Sequence, residues 1–127
     1  KSGNKVDAII AGNDAIAAGA IRALDEKQMA GKVLVAGMDA DLKNLQELVK
    51  GTQTCTIFKP IQKMASAAAE IAVRLAKGEA CERTFQTTSN GEMLVPSVLE
   101  NGVVVTRDNL KLTVVSEGYQ KEEDIFK

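Results

Sequence analysis

The chain has 127 residues, 45% of them hydrophobic but rich in alanine, with three Phe, one Tyr and no Trp, so it can bury one modest core of Ala, Val, Ile and Leu. Sixteen basic residues against seventeen acidic ones, with no run of either sign, leave no electrostatic footprint for nucleic acid or an anionic membrane. With no histidine and two cysteines outside any CxxC spacing, zinc sites and His-based triads are excluded, and no stretch reaches the ~18 apolar residues of a membrane-spanning helix.

Val6 to Ala11 is apolar apart from Asp7 and predicts a buried strand, ending in Gly12-Asn13-Asp14, a turn and helix-cap signal. Ile16, Ala17, Ala20, Ile21 and Leu24 then recur at helical spacing, with Gly31 as terminator. Val33-Leu34-Val35-Ala36 repeats the strand signature. Asp39 to Asp41 repeats the cap, and Leu42, Leu45, Leu48 and Val49 predict a second amphipathic helix closed by Lys50-Gly51. Thr52 to Phe58 reads as a third strand. Lys59-Pro60 breaks it ahead of a long Ala-rich helix from about Ile61 to Lys77. This alternation predicts an α/β fold with a parallel sheet and flanking helices.

The last third differs. Thr84 to Thr88 and Glu92 to Val95 flank Ser89-Asn90-Gly91, a hairpin signal. Pro96 and Ser97 lead to a short extended run at Val103 to Val105, then a capped segment from Asp108, read as helical to about Ser116, and a charged tail. Three parallel strands are few for a doubly wound sheet, so further structure upstream is expected. Cys55 and Cys81 read as separate thiols. A disulfide between them needs a fold that brings them together, which spacing does not decide.

In open parallel sheets ligands bind beyond the carboxyl ends of the strands, which singles out Asn13, Asp39 and Lys59. Taken singly, Asn13 is a helix cap, Asp39 a cap or turn residue, and Lys59 a solvated residue before proline. Together they offer an amide, a carboxylate and an ammonium to one crevice. A carboxylate accepts from neighbouring hydroxyls, an amide donates and accepts, and an ammonium only donates, which suits a polyol.

The segments Val6-Asp7-Ala8-Ile9-Ile10-Ala11-Gly12-Asn13-Asp14, Lys32-Val33-Leu34-Val35-Ala36-Gly37-Met38-Asp39-Ala40-Asp41 and Gly51-Thr52-Gln53-Thr54-Cys55-Thr56-Ile57-Phe58-Lys59-Pro60 resemble the periplasmic sugar-binding proteins for pentoses, most similar to the D-xylose binders. The resemblance continues through the long helix, Val95-Pro96-Ser97, Asp108-Asn109-Leu110 and Glu117-Gly118-Tyr119. It implies a partial type I periplasmic-binding-protein fold, Rossmann-like and contributing to two lobes. By this resemblance residues 1–59 belong to the C-terminal lobe, 60–95 to the N-terminal lobe with the long helix and hairpin, and 96–127 return to the C-terminal lobe and tail. It assigns Asn13, Asp39 and Lys59 to binding a xylose-like monosaccharide. It further implies an extracytoplasmic location, with a leader that this chain does not include, and an ABC permease or a membrane sensor kinase as partner.

Family members are roughly twice as long, and the resemblance implies that the N-terminal half is missing here. That half carries arginine and aromatic contacts to the sugar, whereas this chain offers only Phe58, Phe85, Tyr119 and Phe126 as stacking surfaces. The expectation is weak binding by the chain alone, and association with the missing half or self-association through exposed strand edges.

Three rivals fit less well. A phospho-acceptor receiver domain needs two acids after the first strand, where Asn13-Asp14 supplies one. A nucleotide-binding enzyme needs a glycine-rich phosphate loop, and neither GxGxxG nor GxxxxGK followed by Ser or Thr occurs after any strand. No nucleophile and base pair stands out either, so no enzyme activity and no cofactor is expected. The effector domain of a LacI-type repressor shares the bilobed fold but requires an upstream DNA-binding headpiece.

Overall fold

The structure is a computed structural model and describes residues 5–80 and 86–127. Cys81, Thr84 and Phe85, on which the cysteine pairing, the expected start of the hairpin and one aromatic surface depend, lie outside the described residues. In chain order the elements are β1 (Ala8–Ile10), α1 (Asp14–Asp25), β2 (Leu34–Ala36), α2 (Leu42–Lys50), β3 (Thr56–Phe58), α3 (Ile61–Ala76), β4 (Gln86–Ser89), β5 (Leu94–Ser97), β6 (Val103–Val105), a π-wound segment (Lys111–Val115) and α4 (Glu122–Ile125). They fall into two units: residues up to Lys59 together with Gly102–Lys127, and Pro60–Asn101.

In the first unit, β1 pairs in parallel with β2, Ile9 opposite Val35. A parallel bridge at Ala36 and Cys55, with bonds from Thr54 N to Val35 O (2.8 Å) and Ile57 N to Gly37 O (3.2 Å), carries the pairing on to β3. β6 closes the row antiparallel to β3, Val105 opposite Thr56. The order is therefore β1-β2-β3-β6, three parallel strands and one antiparallel, in the α/β class that the alternation of strands and helices predicts.

Successive residues of a strand face opposite sides, and this parity divides the sheet cleanly. Val35, Thr56, Phe58 and Val105 are buried on one face. Two apolar clusters occupy that side: Ala17, Ile21 and Leu24 of α1 gather with Ala11, Val33 and Val35, while Leu45 and Leu48 of α2 gather with Phe58, Val105, Leu110, Val114 and Ile125. The alternate residues are open. Ile10 is 90% exposed, Leu34 59% and Val104 52%, an apolar face that the described residues leave uncovered.

The helix boundaries follow local chemistry. Asn13 Oδ1 accepts from Ile16 N (2.9 Å) at the start of α1. Gly51, in the left-handed conformation at φ 83°, ends α2. The segment expected to be helical from Asp108 is instead wound wider, with bonds from Val115 N to Leu110 O (3.4 Å) and Ser116 N to Lys111 O (3.1 Å). There the Thr113 hydroxyl bonds back to Asn109 O (2.9 Å), competing with the backbone for the carbonyls of the preceding turn.

In the second unit, α3 begins directly after Pro60. The hairpin forms with Ser89 opposite Leu94 and Gln86 opposite Ser97. Asn90 Oδ1 ties its turn by accepting from Glu92 N (3.0 Å) and Met93 N (2.9 Å), and Gly91 supplies φ 97°. Pro96 and Ser97 lie within β5 rather than leading away from the hairpin, opposite Thr87 and Gln86. Of the apolar residues described in this unit, only Pro60, at its start, and Ala67 are buried.

Candidate functional site

The carboxyl ends of β1, β2 and β3 lie side by side in the first unit, and each is followed by one of the three residues singled out in the sequence. Asn13 follows β1, half-buried, with its carbonyl oxygen engaged in capping α1. Asp39 follows β2 and Lys59 follows β3, and the structure joins these two directly, Lys59 Nζ to Asp39 Oδ1 at 2.6 Å. Both side chains keep access to solvent, 45% for Lys59 and 35% for Asp39. Asn13 is thus brought to the same edge, but its described hydrogen bond is to its own helix.

The turn that carries Asp39 has an unusual backbone. Asp39 stands at φ 105° and Ala40 at φ 55°, two consecutive non-glycine residues in a region that L side chains rarely adopt. The turn is held at several points. Asp39 N donates to Ile57 O (2.8 Å), Ala40 N to the Thr56 hydroxyl (3.2 Å) and Asp41 N to Asp14 Oδ2 (2.9 Å). The Tyr119 hydroxyl donates to Asp39 O (3.3 Å).

Behind the turn lies a polar cluster that the sequence reading missed. Asp14, Asn44, Gln53 and Thr56 are all buried, Asp14 and Thr56 completely. Asp14 Oδ1 accepts from Gln53 Nε2 (3.0 Å), and the Thr56 hydroxyl lies 2.9 Å and 3.0 Å from the two carboxylate oxygens. Asn44 Nδ2 donates to Asp14 O (2.9 Å) and Gln53 Oε1 (2.7 Å), while Gln53 Nε2 also reaches Cys55 O (3.1 Å). Among the described residues no buried side-chain nitrogen or oxygen is left without a partner. Burial pushes the Asp14 carboxyl above the ordinary value; donation from Gln53, Asp41 N and Thr56 opposes this, and the nearby Asp41 charge adds to it.

A signal for this cluster is present in the sequence. Thr56 is polar at an inward-facing position of a strand, and a lone inward hydroxyl asks for a partner. Gly37 is the second clue: a Cβ there would lie 2.0 Å from Asp14 Oδ1 and 2.9 Å from Gln53 Nε2, so only glycine leaves room for the carboxylate.

The aromatic residues are placed mainly in structural contacts. Phe58 is 4% exposed and packs against Tyr119, ring centroids 4.9 Å apart and tilted by 47°. Phe58 therefore offers no free face of the kind expected for sugar stacking at this edge, Tyr119 is half-buried against it, and Phe126 lies under Lys111 Nζ at 5.0 Å. Burial first, and the Asp41 and Asp39 charges next, raise the Tyr119 hydroxyl above its ordinary value, keeping it a donor at neutral pH. Cys55 is a half-buried free thiol, raised by burial and by the Asp14 charge. Among the described residues no group of three or more Cys, Asp or Glu side chains is placed to hold a metal ion.

The geometry has close counterparts in known proteins. A family model described as the periplasmic binding protein domain matches residues 1–80. The D-xylose-binding periplasmic protein of Escherichia coli (strain K12) is 44% identical over 122 residues, covering 96% of this chain and 37% of that protein. The protein of the same name from Haemophilus influenzae is 44% identical over 123 residues, covering 97% and 37%. Among solved structures, a carbohydrate transporter solute binding protein from Chloroflexus aurantiacus, in complex with D-glucose, superposes with a TM-score of 0.84 at 30% identity, over 92% of this chain and 34% of its own. An ABC transporter solute binding protein from Clostridium phytofermentans with bound β-D-glucose gives 0.80 at 29% identity, over 97% and 38%. The chain spans a little over a third of the length of these relatives, 37% of each of the two curated ones.

Proposed function

The chain belongs to the periplasmic binding protein domain family, and on that premise we propose that it forms part of an extracytoplasmic receptor that binds a xylose-like pentose and delivers it to an ABC importer. The observation that carries this reading is the Asp39 and Lys59 pair, 2.6 Å apart and solvent-accessible, at the ends of adjacent parallel strands with Asn13 alongside. The names of the relatives, two of them D-xylose-binding periplasmic proteins, support the same ligand class.

The chemistry suits a neutral polyol. Asp39 accepts from two adjacent hydroxyls, Lys59 donates to a hydroxyl or ring oxygen, and Asn13, whose cap engages Oδ1, offers its Nδ2 hydrogens. Charged partners give the stronger hydrogen bonds, which a sugar needs to compete with water. Pairing Asp39 with Lys59 also keeps each charge compensated before the sugar arrives, so binding exchanges one set of polar contacts for another.

The reading extends to the rest of the receptor. Residues 1–59 and 102–127 would contribute to one lobe and residues 60–101, which keep the hairpin of β4 and β5 whole, to the other, with the ligand enclosed by hinge closure. The uncovered apolar sheet face around Ile10, Leu34 and Val104 supports an arrangement in which more of the receptor, or a second copy of the chain, packs there.

Calorimetry with D-xylose on the full-length receptor tests the proposal. Asp39→Asn and Lys59→Met should each weaken binding by about 10- to 100-fold, the range for losing a hydrogen bond to a charged group. The chain alone should bind weakly, with a Kd above the micromolar range. Unchanged affinity in both variants would remove these residues from the site, and a receptor that binds no pentose would overturn the reading.

A further inference from the structure

We infer that the buried Asp14 carboxylate, acting with Thr56, is the positioning device that holds residues 37–41 in the backbone form presenting Asp39 to Lys59 and to the sugar. The inference rests on the reading of Asp39 and Lys59 as sugar contacts. Its physical basis is independent of that reading.

The turn does not hold itself. Ala40 has no polar side chain to bond locally, so its φ of 55° following φ 105° at Asp39 persists only because surrounding groups determine it. They do so amide by amide. Three successive N–H groups each have a fixed acceptor: Asp39 N on Ile57 O, Ala40 N on the Thr56 hydroxyl, and Asp41 N on Asp14 Oδ2. Two of the three acceptors belong to the buried cluster.

Asp14 organises both. By accepting the Thr56 hydrogen it turns the lone pairs of that hydroxyl toward Ala40 N, and with its other oxygen it takes Asp41 N directly. Asp14 is itself fixed from below. Gln53 donates to its side chain and Asn44 to its backbone carbonyl, and these two amides are bonded to each other. The absence of a Cβ at Gly37 leaves the space that the carboxylate fills.

Each side-chain or backbone group bonded to the carboxylate is a donor: the Gln53 amide, the Thr56 hydroxyl and Asp41 N. An ionised carboxylate satisfies them all, whereas an asparagine would turn an NH2 against at least one of them. Asp14 thus serves the site without touching ligand. It sets where the Asp39 carboxylate is, and so the spacing to Lys59 that a sugar meets.

The test uses the full-length receptor and two readouts: D-xylose calorimetry, and hydrogen-exchange mass spectrometry of the peptide covering residues 37–41 without ligand. Thr56→Val keeps shape and removes the hydroxyl; it should weaken binding about tenfold, one hydrogen-bond equivalent, and speed exchange in that peptide by a similar factor. Thr56→Ser should restore both to within about threefold of the parent. Asp14→Asn should exceed Thr56→Val in both readouts; should it fail to fold, the Thr56 pair decides. Parent-like exchange and affinity in Thr56→Val, or no recovery in Thr56→Ser, would overturn the inference. If the parent receptor binds no pentose, the sugar reading falls, while exchange in Thr56→Val against Thr56→Ser still decides whether the cluster positions the turn.

Discussion

The two units of this chain are built to different standards of burial. Among the described residues, every buried apolar residue but Pro60 and Ala67 belongs to the unit containing β1, β2, β3 and β6, which also holds the fully bonded cluster of Asp14, Asn44, Gln53 and Thr56. The unit of α3 and the hairpin exposes Ile61, Met64, Val73 and Leu75 along its helix, each 43% or more, and Met93 and Leu94 in its hairpin. Helix α3 keeps its form through alanine-rich propensity over 16 residues, and the hairpin through its Asn90 turn. Neither is a source of tertiary stability, because isolated helices of that length are marginal and a lone hairpin more so. The difference shows where a ligand-facing residue can be held with precision: at the strand ends of the first unit, above packed and hydrogen-bonded residues.

The change expected to break this contrast most severely is Gly37→Ala. Its new Cβ would lie 2.0 Å from a carboxylate that is fully buried and bonded to Gln53, Thr56 and Asp41 N. Overpacking and the disruption of buried hydrogen bonds together predict a loss of about 4 kcal/mol. Chemical denaturation of the receptor carrying the change measures it, and a loss below about 1 kcal/mol would show that the cluster is looser than described.

A matched pair of truncations sharpens the contrast. Leu45, fully buried on α2, should lose about 3 kcal/mol on change to alanine, while Leu75, 64% exposed on α3, should lose less than about 0.5 kcal/mol. A large cost at Leu75 in the receptor would instead mean that α3 is covered there by residues outside this chain. That result would itself map part of the proposed two-lobed assembly.

Much of the first unit is legible in the sequence because its signals are local. The alternation of apolar runs with cap residues at Asn13 and Asp41 and the glycine at Gly51 marks each strand and helix nearly where it forms. The placement of Asn13, Asp39 and Lys59 at strand ends is legible for the same reason, since each closely follows a strand. Asp14 is not, because beside Asn13 it reads as a second cap residue, and its partners Asn44, Gln53 and Thr56 lie 30, 39 and 42 positions away. The winding of Lys111–Val115 is also hidden. It depends on hydroxyls bonding back to carbonyls, a competition that apolar periodicity does not register.

Acid gives a smaller effect, opposite in sign at two carboxyls. Burial raises the folded-state pKa of Asp14 above its unfolded value, so the folded state binds the proton more tightly; as pH falls through the folded pKa this group's contribution to stability rises. At Glu47 burial acts upward, but bonds from Lys50 and Thr52 win and lower the carboxyl, so its contribution is lost as pH falls through the folded value. Carbon-detected NMR titration should find Asp14 above the ordinary carboxylate range and Glu47 below it. Protonated Asp14 would also lose an acceptor facing Asp41 N, so the turn should loosen in acid without this group's contribution to stability falling.

An effect on stability as small as that at Leu75 is expected at one of the two charged residues proposed to read the ligand. Lys59 and Asp39 form an ion pair of good length, yet both side chains keep a third or more of their exposure. Water screens such a pair, and holding a long lysine side chain in one place costs entropy, so Lys59→Met should change stability by no more than about 0.5 kcal/mol. The position of Asp39 is fixed by its backbone bonds and by the buried cluster, which the substitution leaves in place. Denaturation and xylose calorimetry on the same variant should therefore separate, with near-parent stability beside a 10- to 100-fold loss of affinity, the range for losing a charged hydrogen-bond partner. If both fell together, Lys59 would be holding the turn and not only reading the ligand, and the division between a buried positioning cluster and an exposed recognition pair would have to be redrawn.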